Sequence, residues 1–218
     1  MNPRARRFDF LIWGGLLLVV ATLLLAFLLA QLRQRAGLAK PLPVYGQIAD
    51  FTLTNLNDRP VSLSDLRGHV WVADIIFTRC PGPCLQMTRQ MKELQQALPP
   101  ASQSKLVSLT TDADFDTPAV LKTYADRAGA DTNRWLFLTG PKTDIARLAI
   151  DSLKLTTLEK KPEERTTPND LFVHSTIFVV VDQRAQLRGV FETVGEGIDS
   201  QRAKAKILAA IRQLERGR

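Results

Sequence analysis

Hydrophobic positions follow two regimes along this chain. From Leu11 to Ala30 they run on for twenty residues without a charge, rich in Leu, Val and Ala. A helix of that length spans about 30 Å, roughly one hydrocarbon core. After Pro41 the apolar positions come in short runs whose period alternates between that of a strand and that of a helix. Asp50–Thr54 and Pro60–Leu63 flank Asn55-Leu56-Asn57-Asp58, a hairpin signature. Val70–Thr78 is a mostly apolar run with β-branched and aromatic residues, which suits a buried strand. From Pro83 to Leu98 the apolar positions Leu85, Met87, Met91, Leu94 and Leu98 recur at near-helical spacing, and Pro99-Pro100 stops the helix. Lys105–Thr111 is a second strand. Thr117-Pro118 opens a helix that runs to about Ala128, with Thr as N-cap and Pro in the first helical position. Trp135–Leu138 reads as a strand, Thr143–Ser152 as a helix, Val173–Val181 and Gln186–Glu192 as a strand pair around Asp182–Ala185, and Ser200–Glu215 as a closing helix.

Strand and helix patterns alternate three times, and a strand pair and a final helix follow. This order predicts an α/β protein: a central mixed β-sheet flanked by helices, in a thioredoxin-like fold with an N-terminal β-hairpin, behind one N-terminal transmembrane helix. The chain divides into a stub (1–10), an anchor (11–30), a linker (31–45, with Pro41 and Pro43) and a thioredoxin-like domain (46–218). Leu153–Asp170 is the least regular stretch. It reads as a solvated loop, or as a docking surface because it leads into His174.

The apolar run reads as an uncleaved anchor. A signal sequence has an apolar core of about 7–15 residues and a small-x-small cleavage site. This run is longer and leaves through Leu28-Leu29-Ala30-Gln31-Leu32-Arg33. Charge agrees with that reading. The chain of 218 residues has 29 Lys and Arg against 22 Asp and Glu, but residues 1–40 alone hold six basic groups and one acid. The remainder is close to balanced, so the basicity belongs to the flanks of a membrane segment and does not point to nucleic acid. The short N-terminal stub favours staying inside. In a bacterium this predicts a single-pass protein of the inner (cytoplasmic) membrane with its C-terminal domain in the periplasm.

Two cysteines and two histidines are the whole supply of soft ligands. They are too few for a disulfide framework or a four-thiolate cluster. Cys80 and Cys84 lie in Phe77-Thr78-Arg79-Cys80-Pro81-Gly82-Pro83-Cys84, between a buried strand and a helix. If the helix starts near Pro81, both sulfurs fall on one face of its first turn, close enough for a disulfide or for two thiolates on one metal. A helix N-terminus favours thiolates, and the thiolate is both nucleophile and soft ligand. A purely structural disulfide here would close so short a loop that it would stabilise little. His174 is the one polar ring at the start of an apolar strand. A lone strand histidine is commonly a hydrogen-bonded core residue. In a thioredoxin-like sheet, however, this strand neighbours the one carrying Cys80. Two thiolates and one imidazole, with no obvious fourth ligand, favour one copper ion, Cu(I) or Cu(II), over zinc. His69, before the strand that leads to Cys80, reads as a surface residue.

These residues carry a resemblance. The chain resembles the SCO (SenC/PrrC) family, membrane-anchored copper proteins that assist cytochrome c oxidase assembly. The likeness covers nearly all of residues 45–216: Phe51-Thr52-Leu53, Leu63–Gly68, the Phe77–Cys84 segment, Thr111-Asp112, Asp116-Thr117-Pro118 with Leu121 and Tyr124, Trp135, Leu138-Thr139-Gly140, and His174-Ser175. It implies that Cys80, Cys84 and His174 bind one copper ion. It further implies delivery to the dinuclear copper site of oxidase subunit II, or reduction of that site's cysteines. Other periplasmic copper carriers or thiol reductants are then further partners. In the redox alternative, a thiol–disulfide oxidoreductase, Cys80 attacks a target disulfide and Cys84 resolves the mixed disulfide. A peroxidase-like redoxin using a Cys80 sulfenic acid is a third reading. Three positions depart from the family pattern: Leu85 where Pro usually follows the second cysteine, Val173 where an acid often precedes the histidine, and Asp182-Gln183-Arg184-Ala185 in place of Asp-Pro-x-Gly.

Overall fold

The structure is a computed structural model that describes residues 3–37, 41–80 and 82–217. It forms two units, divided between Pro41 and Leu42. In the first, helix α1 (Pro3–Gly37) contains Trp13–Ala30, a stretch long and apolar enough to cross a membrane.

The second unit is built on an eight-stranded sheet. Its strands are β1 (Gly46–Gln47), β2 (Thr52–Asn55), β3 (Pro60–Ser62), β4 (Trp71–Ile76), β5 (Lys105–Thr110), β6 (Trp135–Thr139), β9 (Ile177–Val181) and β10 (Gln186–Glu192). Their order is β1-β10-β9-β4-β5-β6-β2-β3. Strands β4, β5 and β6 are parallel, and β9 joins β4 in the antiparallel sense. The sheet is therefore mixed, and the hairpin β2–β3 attaches to the far side of β6. Period two decides which way each side chain of β4 points. Trp71, Ala73 and Ile75 enter one core with short helices α2 (Leu63–Leu66) and α5 (Lys142–Ala146). Val72 and Ile76 enter the other, with α3 (Pro83–Ala97), α4 (Pro118–Ala128) and α6 (Ser200–Arg216).

Local chemistry explains these helices. The buried residues of α3, Cys84, Met87, Thr88, Met91 and Leu94, recur every three or four positions and form one stripe on the sheet. Helix α4 starts as its sequence predicts: the Thr117 hydroxyl accepts from the Val120 amide, and Pro118 occupies the first turn. It stops at Gly129, whose φ of 64° is the left-handed cap that glycine adopts without strain.

Three local expectations change. The helix expected over Thr143–Ser152 is α only to Ala146 and continues to Ser152 as a π-helical turn. The wider turn lets Leu148, Ala149 and Leu153 all bury. The cysteine helix begins at Pro83, not near Pro81, so Cys80 sits in the turn ahead of it; Pro81 itself lies outside the described residues, as do linker residues 38–40. The strand expected over Val173–Val181 is two strands. Strand β8 (Phe172–His174) leaves the main sheet and pairs with β7 (Thr157–Glu159) to form a separate two-stranded arm. The reason is local hydrogen bonding. The Ser175 amide donates to the Thr156 carbonyl, while the Thr176 carbonyl accepts from the amide and hydroxyl of Thr193. The chain thus changes partner between Ser175, held by the arm, and Thr176, which extends the β9–β10 pairing through Thr193. The stretch expected to be a solvated loop is mostly exposed, though ordered locally: it carries β7, a 3₁₀ turn at Pro162–Glu164, and Lys160 paired with Asp170 at 2.7 Å.

Candidate metal centre

The site forms where three segments meet at the carboxyl end of β4. Phe77 continues β4 into the core, and Thr78-Arg79-Cys80 then turns back toward α3. Two aspartates from the segment between β5 and α4 fix this turn. Asp116 accepts from the Thr78 amide at 3.0 Å and from the hydroxyls of Thr78 and Thr110. Asp112 takes Nε and Nη2 of Arg79 at 3.1 and 2.5 Å. The Arg79 guanidinium also lies 4.0 Å above the Phe115 ring. Burial raises the Asp116 carboxyl above the usual carboxylate range, against the pull of its Thr110 and Thr78 donors.

Cys84 stands in the first turn of α3, and His174 reaches in from the end of β8. Alternation along β8 turns Phe172 and His174 inward and leaves Val173 outside. Phe77 meets both inward rings edge-on, Phe172 at 5.2 Å and His174 at 5.7 Å between centroids. The His174 Nδ1 lies 3.1 Å from the Ser175 carbonyl, an acceptor that orients the ring with Nε2 toward the sulfurs. Nε2 is 3.2 Å from Cys84 Sγ and 3.9 Å from Cys80 Sγ. All three ligand atoms lie within 4.8 Å of one another. With Val173 in place of an acid, the ring is oriented by a backbone carbonyl. Metal–donor lengths of about 2.0–2.3 Å put the donors around one ion roughly 3.3–4 Å apart, so this set fits a metal. His69 lies at the opposite end of β4, its Nδ1 2.8 Å from the Gln103 carbonyl, and takes no part.

The SCO1/SenC family description matches residues 43–212. The chain belongs to the SCO1/SenC family. A SCO1 protein homolog of Bacillus subtilis (strain 168) is 34% identical over 141 residues, 64% of this chain and 70% of that protein. A Stutzerimonas stutzeri protein provisionally named as copper-binding is 32% identical over 152 residues, 68% of this chain and 70% of that one. Among solved structures, a SCO1/SenC family lipoprotein from Bacillus anthracis str. Ames is 29% identical, covers 82% of this chain and 99% of its own, and superposes with a TM-score of 0.66. The thioredoxin-like fold is therefore that of the family.

In this SCO1/SenC protein the two thiols differ sharply. A hydrogen bond from Cys84 does most to hold Cys80 down to about 4, helped by His174 and by the Gly82 and Cys84 amides, against partial burial. Burial, together with the hydrogen bond to Cys80 and its charge, pushes Cys84 far above the ordinary thiol range. The reduced pair therefore holds one negative charge, centred on Cys80, and one proton, on Cys84.

Sequence reading missed Asp74. It lies in the middle of β4, fully buried, with Ser108 Oγ donating to its Oδ1 at 2.6 Å. Burial lifts its carboxyl to about 7, against the opposing pull of Ser108 and of His174. The signal was present in the sequence: one acid inside an otherwise apolar strand run.

Proposed function

We propose that this SCO1/SenC protein binds one copper ion through Cys80, Cys84 and His174 and delivers it to the dinuclear copper site of cytochrome c oxidase subunit II. The observation that carries this reading is the convergence of one imidazole nitrogen on two sulfurs, all within 4.8 Å, from segments ninety residues apart in the chain. A soft set of two thiolates and one imidazole suits copper, and Cu(I) accepts low coordination. Copper here is cargo. Three ligands leave room for an incoming thiolate or imidazole of the client, so exchange proceeds one ligand at a time and never frees the ion. Copper-binding in the name of the Stutzerimonas stutzeri relative supports the same assignment. The apolar stretch Trp13–Ala30 supports an anchor in the bacterial inner membrane, with residues 31–45 as linker and the domain from residue 46 in the periplasm.

The test is titration of the reduced full chain with Cu(I) under anaerobic conditions. One ion per chain is expected, with His174→Ala weakening binding at least tenfold. Unchanged affinity in that variant refutes the three-ligand site. A second reading has its own support in the unequal thiols. Cys80 is a thiolate at neutral pH and Cys84 a protonated partner, the division of labour a thiol–disulfide oxidoreductase needs. Rapid reduction of an oxidised subunit II peptide by a protein that retains no copper would favour that reading.

A further inference from the structure

Beside the cysteine turn lies an open groove of about 470 Å³, walled by Thr78 and Arg79 on one side and by α4 on the other. Ala119, Thr123 and Arg127, each four residues from the next, form one stripe of that helix, with Val120 next to it. Phe115 completes the wall, its ring 4.0 Å from the Arg79 guanidinium. The groove thus carries two guanidinium groups and no acid. Four other grooves of comparable size on the domain each set an acid beside their cations: Asp144 with Arg147, Asp199 with Arg202, Asp182 with Arg188, and Glu93 with Arg89. The exposed acids near this groove in sequence are taken elsewhere, Asp114 by Lys142 at 2.6 Å and Asp126 by Lys122 at 3.5 Å.

Structural duties do not account for both arginines. Arg79 gives Nε and Nη2 to the buried Asp112, which offsets its charge, but Nη1 has no hydrogen-bond partner among the described residues. Arg127 stands in the last turn of α4, where a cation suits the helix dipole. That end is already closed without it. The Gly129 and Ala130 amides bond the Asp126 and Ala125 carbonyls, and Lys92 donates to the Gly129 carbonyl. The Arg127 side chain makes no hydrogen bond or ion pair among the described residues and lines the groove instead. A guanidinium fork without an internal partner, beside the apolar surface of Ala119, Val120 and Phe115, suits a carboxylate that has an apolar neighbour.

We propose that this groove seats an acidic segment of the partner protein served by the cysteine pair, a glutamate or aspartate meeting Arg127 and Nη1 of Arg79 while an adjoining apolar side chain rests on Phe115 and Val120. The position supports that use. Thr78 and Arg79 are at once the groove wall and the two residues ahead of Cys80, so a chain held there runs beside the cysteine turn. Asp116 and Asp112 fix that wall from behind. The groove is therefore formed before a partner arrives, and binding costs little ordering on this side. Opposite charge also speeds encounter, an effect that salt screens. A lipid surface would meet cations spread over a flat or convex face. Here they lie inside a concave groove with apolar walls, which favours a peptide. The proposal rests on the reading that Cys80 and Cys84 serve a protein partner, but occupancy of the groove can be measured without metal or thiol chemistry.

The test is an NMR titration of the isotope-labelled full chain, reduced and metal-free in neutral detergent micelles, with a short amidated peptide rich in glutamate and leucine. Its glutamine isostere is the control. Amide shifts report both where the peptide sits and how tightly. The glutamate peptide should give saturating shifts at Arg79, Phe115, Thr123 and Arg127 that weaken as salt is raised. The glutamine peptide, and the glutamate peptide on Arg127→Gln, should each bind about three- to tenfold more weakly. Arg212→Gln makes the same charge change at an exposed position of α6 and should leave affinity unaltered. An equal loss in both variants, shifts centred elsewhere or no saturation overturns the proposal. So does a larger response of the same amides to phosphatidylglycerol added to the micelle than to the peptide. If the peptide binds as expected while Cu(I) titration and disulfide exchange both fail, the acidic-segment site stands and the reading of the cysteine pair is lost. If those succeed and the peptide does not bind, the groove proposal alone falls.

Discussion

Holding Asp74 in the core has a cost that depends on pH, and the structure gives its size. Burial raises the carboxyl from 3.8 to about 7. An acid whose proton affinity is higher in the folded state stabilises the fold fully below its unfolded value and loses that contribution as pH climbs through the folded one. Each unit is worth about 1.36 kcal/mol, so the shift amounts to about 4 kcal/mol between pH 4 and pH 8. That is a large share of the roughly 5–15 kcal/mol that keeps a domain folded. Asp74→Asn keeps the shape and removes the ionisation. The difference in unfolding free energy between variant and wild type should therefore move in favour of asparagine by about 4 kcal/mol over this range. Residues 42–218, reduced and metal-free, would be unfolded with urea at unit steps of pH, and the change in the difference, not its absolute value, is the readout. A difference that stays level from pH 4 to pH 8 would refute the claim that burial raises the proton affinity of Asp74.

Other outcomes follow from the turn and the arm. Asp116→Ala strands the Thr78 amide and two hydroxyls, so it should lower stability by about 2–4 kcal/mol in urea unfolding and speed alkylation of Cys80 as the turn loosens. Cys84→Ala removes the principal donor to Cys80; the midpoint of the pH profile for Cys80 alkylation, near 4 in the wild type, should rise by more than one unit. In Cys84→Ser the hydroxyl still donates, and most of that rise should be absent. Asp170→Ala frees Lys160 and the Thr166 amide and hydroxyl, so hydrogen exchange should quicken at the Lys160 and Ser175 amides while the β4 and β5 amides stay protected.

Alternation and helical spacing made the central layers legible, because β4, α3, β5, α4 and β6 each bury a face that their period announces. The hydrogen bonds of Ser175 and Thr176 were not legible. Val173–Val181 is continuously apolar apart from His174, Ser175 and Thr176, and nothing local says that Thr156, some twenty residues back, will claim the Ser175 amide for the arm while Thr176 stays paired with Thr193 beside β10. The helix start was misplaced for a related reason: Pro81 and Pro83 each suit a first helical position, and the choice of Pro83 accompanies the clamping of Thr78 and Arg79 by Asp116 and Asp112. Asp74 was passed over because pattern reading averages over a run, and one acid does not change the period.

The two corrections bear on the same chemistry. Had β8 continued into β9, His174 would hang from the main sheet. Instead Cys80 and Cys84 belong to a turn clamped by two aspartates and to the first turn of a fifteen-residue helix, while His174 ends a three-residue strand paired, among the described residues, with β7 alone. Elements with few cooperative hydrogen bonds open locally at lower free energy than the core they lean on. Of the three candidate ligands the imidazole is therefore the one expected to withdraw first. Withdrawal of His174 also removes the attraction that eases the charge of Asp74. In this arrangement the position of His174 and the proton affinity of the buried acid are linked electrostatically.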